Sequence, residues 1–581
     1  MNEITKSITF LKEYKQLKQA VDEGKTPVLA VGLSAIHKAH LAAALGLDTG
    51  RPVLVLTDDD NAANRFAADL RGFSERDIVQ LPSRELVMAD VVGVSRGYEQ
   101  RRLAALDELT EAHFAVASVQ AAAQRTMPPE ALKAAIVSLA TGETAPLDEL
   151  AQSLTRAGYE RCVQVEGTGQ FSIRGGILDV FPPQAEHPYR VEFWDDEIDS
   201  ISTFDVGSQR RLEQCECLRC LPCMESIPAL AKGGAAGLAK AVLALTSTRR
   251  KKQHADLQTN LERDAERLRE TGSLPAADKY MPLIYPEMAT AFDYLPENAI
   301  VIIEDTPRLR DAVRDFHARV ADDVTALLER GEMPPALGEY ALDFVGVCGV
   351  KRQILRLDSF LNNVAELTPQ HLENFIANQM NAYGGNLDMA SADIRSYTEQ
   401  GRAVAVVCGS ALRCQNMLDA LTDTGLNVKI SDLLPKGGCV NIMEGTLSAG
   451  FEYPDLGLVV MTEGQVLARR KKTQVKKSNR DKVKSYTDLT PGDLVVHEHH
   501  GIGRFIGMER MTVDGSERDF IKIAFAGTDF LYVPATSLDL ISKYIGGGEE
   551  QEKTRLNKLG GTEWTKQKYK AKAAAKDLAK G

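Results

Sequence analysis

The sequence lacks the features that would place it in a membrane or an oxidising compartment. No apolar run approaches the length of about 20 residues that spans a bilayer, and the N-terminal segment has no apolar stretch typical of a signal peptide. Nine cysteines in 581 residues, an odd number, favour reduced thiols over a disulfide framework. We therefore expect a cytoplasmic protein that does not associate with a membrane.

The sequence also lacks an intact nucleotide-binding loop. Such a loop needs small residues for close backbone approach to phosphates, a lysine for their charge and a hydroxyl for Mg²⁺. Residues 32–39 occupy the expected place, after a buried strand and at the start of a helix, and Gly32 and Lys38 fit the spacing. However, His37 replaces the second glycine and Ala39 replaces the metal-binding Ser or Thr. The loop thus lacks a small residue that allows close backbone approach to phosphates and the hydroxyl that would bind Mg²⁺.

A possible partner for this loop follows the strand predicted at 299–303. Glu304 and Asp305 resemble a metal-side carboxylate pair, but such a pair has no role without a bound triphosphate. Phosphoryl transfer depends almost entirely on positioning and charge neutralisation. We therefore expect this chain to be non-catalytic, with no catalytic residue and no cofactor of its own, although the fold of an ATPase can persist without the reaction.

Charge is unevenly distributed. The net charge is −12, yet residues 469–484 hold nine basic residues against one acidic residue, which leaves −20 for the remainder. A basic run of this kind is more often a solvated linker than a nucleic-acid contact, and the sequence leaves that choice open.

Length and periodicity predict a multidomain α/β protein. Short buried strands at 27–31, 52–57 and 114–118 alternate with helices, which is typical of a parallel sheet. A change to an alternating β-meander after residue 147 indicates an inserted α+β domain, and strands between 403 and 461 indicate a second small α/β domain. The predicted order is a degenerate P-loop, helicase-like domain at 1–127 and 219–345, the inserted domain at 128–218, the second α/β domain at 349–463, a basic linker at 464–485, a small β-barrel at 486–545 and a trailing helix at 562–581.

The predicted β-barrel has the clearest strand pattern. Ile521, Ile523 and Phe525 alternate with less apolar residues, and hairpin turns are predicted at 513–516 and 527–529. A barrel this small has no room for a large catalytic cleft, so its function is expected on its surface and edge strands.

Four segments carry a resemblance to a known family. Residues 171–182 (FSIRGGILDVFP), 189–198 (YRVEFWDDEI) and 292–296 (FDYLP) resemble the UvrB-homology module of the bacterial transcription-repair coupling factors. Residues 496–505 (VHEHHGIGRF) resemble the CarD-like, Tudor-type RNA polymerase interaction domain of that family. The resemblance covers essentially the whole chain and corresponds to the N-terminal half of the family.

The resemblance implies two partners and the residues that contact them. It implies that UvrA binds a surface containing Arg174, Arg190 and Trp194, where charge reversal at either arginine should abolish binding and leave the fold intact. The alternative from strand periodicity is that Trp194 packs under a neighbouring domain while Arg190 pairs with Glu192 or Asp196.

The resemblance also implies that the β subunit of RNA polymerase binds Ile506 and Met511 at an exposed strand edge. Barrel core is the alternative for both residues.

Two clusters suggest metal binding without the usual ligand spacing. Cys215, Cys217, Cys220 and Cys223 lack two separated ligand pairs, and we expect Cys215 and Cys217 to alternate on one strand face. For His497, His499 and His500 a hydrogen-bonded turn is favoured. We expect no metal site, and the cysteine pattern leaves the question open.

The implied function is that of an adaptor which binds stalled RNA polymerase and recruits UvrA for nucleotide excision repair. The whole family is an ATP-dependent DNA translocase, so ATP, Mg²⁺ and most double-stranded DNA binding are expected in domains beyond this chain. The alternatives are a UvrB-like damage-loading ATPase, which requires an intact loop, and a CarD-like transcription regulator, which leaves the first 460 residues without a role.

Overall fold

The computed structural model describes residues 2–88, 96–245, 255–334, 337, 339–380, 383, 384, 386–467, 492–497, 500–513, 516–527, 529–534, 541–543 and 556–558. It contains two compact units. The first comprises Met1–Val206 and Arg210–Arg469, and the second comprises Gly207–Gln209 and Arg470–Gly581. The predicted basic linker falls almost entirely outside the described residues, and the predicted trailing helix does so completely.

The described elements are the following. The strands are β1 (Val28–Val31), β2 (Val53–Thr57), β3 (Ile78–Leu81), β4 (Phe114–Ser118), β5 (Val137–Ala140), β6 (Glu160–Arg161), β7 (Gln170–Arg174), β8 (Ile177–Val180), β9 (Tyr189–Trp194), β10 (Glu197–Phe204), β11 (Arg211–Cys215), β12 (Cys217–Cys220), β13 (Ile300–Glu304), β14 (Gln353–Leu357), β15 (His371–Asn374), β16 (Asn378–Gln379), β17 (Ala403–Cys408), β18 (Val428–Ile430), β19 (Val440–Glu444), β20 (Phe451–Tyr453), β21 (Leu458–Thr462), β22 (Leu494–His497), β23 (Gly501–Val513), β24 (Ser516–Ala524), β25 (Phe530–Pro534) and β26 (Ile541–Lys543). The helices are α1 (Glu3–Ser7), α2 (Lys12–Asp22), α3 (Ala35–Thr49), α4 (Asp60–Phe73), α5 (Gly97–Leu109), α6 (Val119–Ala123), α7 (Pro129–Ala135), α8 (Leu147–Arg156), α9 (Gly234–Ala244), α10 (Ala255–Thr271), α11 (Met281–Ile284), α12 (Thr306–Glu329), α13 (Phe344–Cys348), α14 (Leu387–Glu399), α15 (Ala411–Asp423) and α16 (Glu463–Val466).

The first unit is built on a seven-stranded sheet in the order β15-β1-β14-β13-β2-β4-β3, in which every neighbouring pair is parallel. Strands β1, β2 and β4 are buried along their whole length, as short apolar runs in a parallel sheet should be when helices cover both faces. The predicted parallel sheet and the strands at 27–31, 52–57 and 114–118 are thereby confirmed.

The inserted region forms a six-stranded sheet in the order β11-β10-β9-β8-β7-β6, with antiparallel pairs apart from β6 with β7. Its apolar face packs on α8, whose Leu150 and Leu154 join a core with Phe171, Leu178 and Val191. A separate pair, β5 with β12, closes the region where the chain enters and leaves it. The opposite face of the six-stranded sheet carries the polar residues considered below.

A second α/β sheet has the order β16-β20-β21-β17-β19-β18 and mixes parallel and antiparallel pairs. It begins later than the predicted residue 349. Strand β14 pairs with β1 and β13, and β15 pairs with β1, so residues 353–374 complete the first sheet. Their apolar runs look the same in either sheet, which is why the sequence misplaced them.

The second unit contains a five-stranded antiparallel sheet in the order β25-β24-β23-β22-β26. The predicted alternation is confirmed because Ile521, Ile523 and Phe525 are all buried. Val513 pairs with Ser516 and Ala524 pairs with Phe530, which places hairpins at both predicted turns. Strands β25 and β26 do not pair with each other among the described residues, so closure into a barrel stays a prediction.

No helix among the described residues is long and apolar enough to cross a membrane.

Candidate functional site

The polar face of the six-stranded sheet brings together all three residues predicted to contact UvrA. Arg174 ends β7 and Trp194 ends β9, and the hairpin tips that follow them lie side by side, because the Phe193 N–H donates to the Gly176 carbonyl at 2.8 Å. Gly175 and Asp195 adopt positive φ of 60° and 58°, which tight two-residue turns require. The hairpin geometry therefore places Arg174 and Trp194 at one end of the face, and Arg190 lies farther along the same face, opposite Asp179.

Asp179 holds both arginines on this face. It lies on β8 directly opposite Arg190 on β9. Arg190 donates from Nε to Asp179 Oδ1 at 2.7 Å and from Nη2 to Oδ2 at 2.9 Å, and Arg174 Nη2 donates to the same Oδ2 at 2.9 Å. Only 1% of the Asp179 side chain is exposed. A buried carboxylate is thus satisfied by two guanidinium groups, the arrangement that makes such hydrogen bonds strong.

The two arginines differ in accessibility. The Arg190 guanidinium lies 4.6 Å from the centroid of the Phe204 ring, and its side chain is 16% exposed, whereas that of Arg174 is 51% exposed. The hydrogen bonds that Arg190 donates to Asp179 raise the pKa of Arg190 above its usual value. Arg190 is therefore held in place, and Arg174 is the more accessible cation.

Trp194 is 82% exposed, so it does not pack under a neighbouring domain among the residues that the structure describes. The alternative, in which Arg190 pairs with Glu192 or Asp196, is wrong in its main partner, which is Asp179, although Glu192 also attracts Arg190. Glu192 itself forms an ion pair with Arg211 and accepts a hydrogen bond from Ser200 Oγ at 3.2 Å. Sequence reasoning missed Asp179 because its role depends on strand register, which no local pattern reveals.

Residues 32–39 follow β1 and open α3 as predicted, with 32–34 as the connection and 35–39 as the start of the helix. Gly32 has φ of +83°, and a Cβ there would lie 2.2 Å from the Phe375 carbonyl oxygen. The Phe375 N–H donates to the Val31 carbonyl at 3.0 Å, which extends the pairing of β15 with β1 past the end of the strand. A carbonyl oxygen thus lies against the glycine whose N–H would have to face a phosphate.

Lys38 and Glu304 face each other beside this loop. Lys38 Nζ lies 3.7 Å from Glu304 Oε1 and 3.5 Å from Ser359 Oγ. Burial raises the pKa of Glu304, while the nearby Lys38 opposes that rise. Asp305 follows with a positive φ of 57°. The lysine has an internal carboxylate partner in place of a phosphate.

His37 and Ala39 are fully buried in α3. The His37 ring packs edge-on against Tyr453 and Phe451 of β20 at centroid distances of 5.1 and 5.4 Å, and its Nδ1 lies 2.7 Å from Ser34 Oγ. Burial lowers the pKa of His37 to about 4. The residue in place of the second glycine therefore belongs to the core between α3 and the second α/β sheet.

In the second unit, β22 covers only the first residues of β23. Residues 494–497 pair with residues 501–504, whereas β24 pairs with β23 from Arg504 to Val513. Ile506 lies at a bulge in that pairing and is 41% exposed, so it is not core. Met511 pairs with Arg518 in the same open stretch. Beyond Phe505, described strands flank β23 on one side only.

The cysteine and histidine clusters do not converge. Cys215 ends β11 in the six-stranded sheet, whereas Cys217 begins β12 in the two-stranded sheet, so the prediction that they share one strand face is wrong. The rings of His497 and His500 lie tilted against each other with centroids 4.8 Å apart, and His499 lies outside the described residues. No group of three or more His, Cys, Asp or Glu side chains that could hold a metal ion occurs within the described part of the chain.

Comparison with known proteins identifies two domains. Residues 137–225 match the UvrB interaction domain, and residues 489–545 match the CarD-like/TRCF RID domain. The first match contains the polar face with Arg174 and Trp194, and the second contains the stretch of β23 beyond Phe505, which described strands flank on one side only.

Curated relatives match nearly the whole chain. The transcription-repair-coupling factor of Bacillus subtilis is 32% identical over 592 residues, which cover 98% of this chain and 50% of the relative. Those of Staphylococcus epidermidis and Staphylococcus aureus are each 27% identical over 97% and 98% of the chain. The chain spans about half the length of the curated relatives that it matches.

Fold and matches together define a multidomain α/β protein in which one chain carries a UvrB interaction domain and a CarD-like domain. By sequence, the chain belongs to the family of the transcription-repair-coupling factors.

Proposed function

We propose that this chain is a non-catalytic adaptor that couples transcription to excision repair. It binds the β subunit of RNA polymerase through the sheet of the second unit and UvrA through the polar face of the six-stranded sheet. The observation that carries the proposal is that one chain combines a UvrB interaction domain with an accessible polar face and a CarD-like domain in which described strands flank β23 on one side only beyond Phe505.

The UvrA surface consists of Arg174 and Trp194 as accessible contacts, with Arg190 behind them. Arginine and tryptophan are the residue types most enriched among residues that dominate binding energy. An exposed indole and a clamped guanidinium on one face offer both an apolar anchor and a directed cation. This combination supports a partner surface that carries both an apolar depression and a carboxylate.

The polymerase surface is the open side of β23. Main-chain groups on an unpaired edge can accept a further strand from a partner, and side chains along it then select the partner. Ile506, exposed at the bulge, supplies an apolar contact there, and Met511 lies farther along the same open stretch.

The old nucleotide loop has no catalytic role in this proposal. The Phe375 carbonyl against Gly32, the Lys38–Glu304 pair and the buried His37 each support this assignment. ATP hydrolysis, Mg²⁺ binding, DNA translocation and most contacts with double-stranded DNA belong to the part of the relatives that this chain does not span.

Binding measurements with purified partners test the proposal. The full chain, immobilised for biolayer interferometry, is expected to bind purified UvrA and, separately, RNA polymerase core enzyme. Arg174→Glu should weaken only the first interaction and Ile506→Asp only the second. Binding to polymerase without binding to UvrA would instead favour a CarD-like regulator, and binding to neither would overturn the proposal.

A further inference from the structure

Asp179 connects every charged residue of the proposed UvrA surface, although its own carboxylate is almost completely buried. It accepts three hydrogen bonds from two arginines, at 2.7, 2.9 and 2.9 Å. Ser172 lies opposite it on β7 and is also buried, so the carboxylate is enclosed from the neighbouring strand. A buried carboxylate cannot contact a partner directly, so any part that it has in binding must act through the arginines.

The buried part of this arrangement positions the exposed part. Arg190 is the most firmly held of the three side chains, because it donates two parallel hydrogen bonds and stacks its guanidinium on the Phe204 ring at 4.6 Å. The fixed Arg190 holds the Asp179 carboxylate in one orientation, and Oδ2 then holds the Nη2 of Arg174 at the surface. A long side chain that is already ordered loses less conformational entropy when it binds.

We propose that Asp179 is the positioning residue of the UvrA-binding surface: it pre-organises Arg174, on the face that also carries Trp194, for a carboxylate on the partner. This inference rests on the proposed function, because it assumes that UvrA binds this face. It adds a residue that never touches the partner and yet controls how long the complex lasts.

Charge makes the inference testable, because simple electrostatics and positioning predict opposite effects for Asp179→Asn. The substitution nearly preserves shape but removes one negative charge, so the face becomes more positive. If net charge alone governed binding, an acidic partner would bind more tightly. If Asp179 positions Arg174, binding weakens despite the added positive charge.

The experiment measures association and dissociation rates of UvrA on the immobilised full chain. Charges at the edge of an interface mainly determine the association rate, whereas well-ordered contacts within it mainly determine the dissociation rate. For Asp179→Asn we expect association that is unchanged or faster and dissociation that is about tenfold faster. Asp148→Asn is the matched control, because it removes the same charge from the exposed side of α8, which packs on the other face of the sheet. Its rates should equal those of the unaltered chain.

A second variant guards against misfolding. Arg190→Lys keeps the charge but loses the planar fork that grips both carboxylate oxygens, so it should also accelerate dissociation. UvrA should dissociate from the double variant, Asp179→Asn with Arg190→Lys, no faster than from either single variant, because each of these changes disrupts the same hydrogen-bonded group of side chains. Misfolding would lower the amount of active chain and leave the dissociation rate of the remainder unchanged.

The possible failures can be told apart. If UvrA dissociates from the Asp179→Asn variant as slowly as from the unaltered chain, or more slowly, the positioning role is overturned and the proposed function stands. No binding of UvrA by the unaltered chain overturns both.

Discussion

Arg174 and Arg190 share one carboxylate but differ in exposure, and this difference changes what charge reversal should do. Arg174→Glu places a carboxylate at a half-exposed site, so we expect loss of UvrA binding with the fold intact. Arg190→Glu places a carboxylate against buried Asp179 and removes two of its three hydrogen-bond donors, so we expect the inserted domain to be destabilised by about 3 kcal/mol or more. Thermal unfolding and UvrA binding of both variants provide the measurement.

Arg156→Glu provides the control, because it makes the same charge change at an exposed position at the end of α8. It should leave UvrA binding and the melting temperature unchanged. Equal melting temperatures for Arg190→Glu and Arg174→Glu would contradict the structural role of Arg190, and the original expectation that both reversals spare the fold would then hold.

His37 should make the first unit sensitive to acid. Burial lowers its pKa to about 4, below the unfolded value of about 6.5. The unfolded chain therefore binds a proton in this range that the folded chain rejects, and stability falls as the pH is lowered from 6.5 towards 4. His37→Gln should reduce that loss by about 2 kcal/mol between pH 7 and pH 4.5. Calorimetric unfolding at both pH values measures it.

The informative quantity is the change in the free energy of unfolding between the two pH values, because any substitution at this buried position alters stability at every pH. His317→Gln, which removes an exposed histidine from α12, is the control and should keep the pH dependence of the unaltered chain. An identical loss of stability in His37→Gln and the unaltered chain would show that His37 does not contribute.

At the scale of single residues, the sequence could indicate which side chains matter but not what they touch. Alternation along residues 189–194 separated the outward-facing Arg190 and Trp194 from the buried Val191, and the structure agrees. The partner of Arg190 depends on how β8 aligns with β9, and that register arises from packing across the sheet. Likewise, the departure at His37 was visible in sequence, while its contacts with β20 join segments more than 400 residues apart.

At the scale of elements, the open stretch of β23 should behave as a docking edge. Ile506→Asp removes an exposed apolar contact at the bulge, and Met511→Asp places a charge farther along the same stretch. We expect each to weaken binding of RNA polymerase about tenfold or more, since contacts at the centre of an interface are commonly of this size. Biolayer interferometry with core polymerase measures the effect.

Phe530→Asp is the matched control, because it introduces the same charge at an exposed apolar residue of β25, at the other side of the sheet. It should leave the affinity for polymerase unchanged. Equal losses from Phe530→Asp and Ile506→Asp would place the docking surface elsewhere on the sheet.

Elements themselves were predictable where their burial pattern was distinctive. Fully apolar runs predicted the strands of the parallel sheet, and alternation predicted β24. Assignment to a sheet was not predictable: β14 and β15 belong to the first sheet because they pair with β1, and their own residues do not specify that partner. The same limit separated Cys215 from Cys217, which a bend after β11 places in different sheets.

At the scale of the whole molecule, two kinds of observation on the predicted nucleotide loop agree: residues that the motif needs are replaced, and other segments of the chain pack against the loop. β15 runs beside β1 and continues to Phe375, whose carbonyl oxygen lies against Gly32. The second α/β sheet packs its Phe451 and Tyr453 against His37 on α3, which follows the loop. Both segments therefore pack against residues of the predicted loop: the Phe375 carbonyl oxygen lies 2.2 Å from where a Cβ on Gly32 would be, and Phe451 and Tyr453 pack on the His37 ring.

Restoring the motif should therefore fail to restore the reaction. In a chain carrying His37→Gly and Ala39→Thr the side chains of a nucleotide loop are back, but the Phe375 carbonyl still faces Gly32, and Lys38 still has Glu304 as its partner. We expect no ATP turnover above background and no saturable binding of a fluorescent ATP analogue. Calorimetry of the same preparation shows whether it is folded, and Lys38→Ala in both backgrounds identifies any contaminating ATPase, whose activity it leaves unchanged. ATP turnover that Lys38→Ala abolishes, in the restored or the unaltered chain, would show that the loop can still bind a phosphate and would contradict the adaptor proposal.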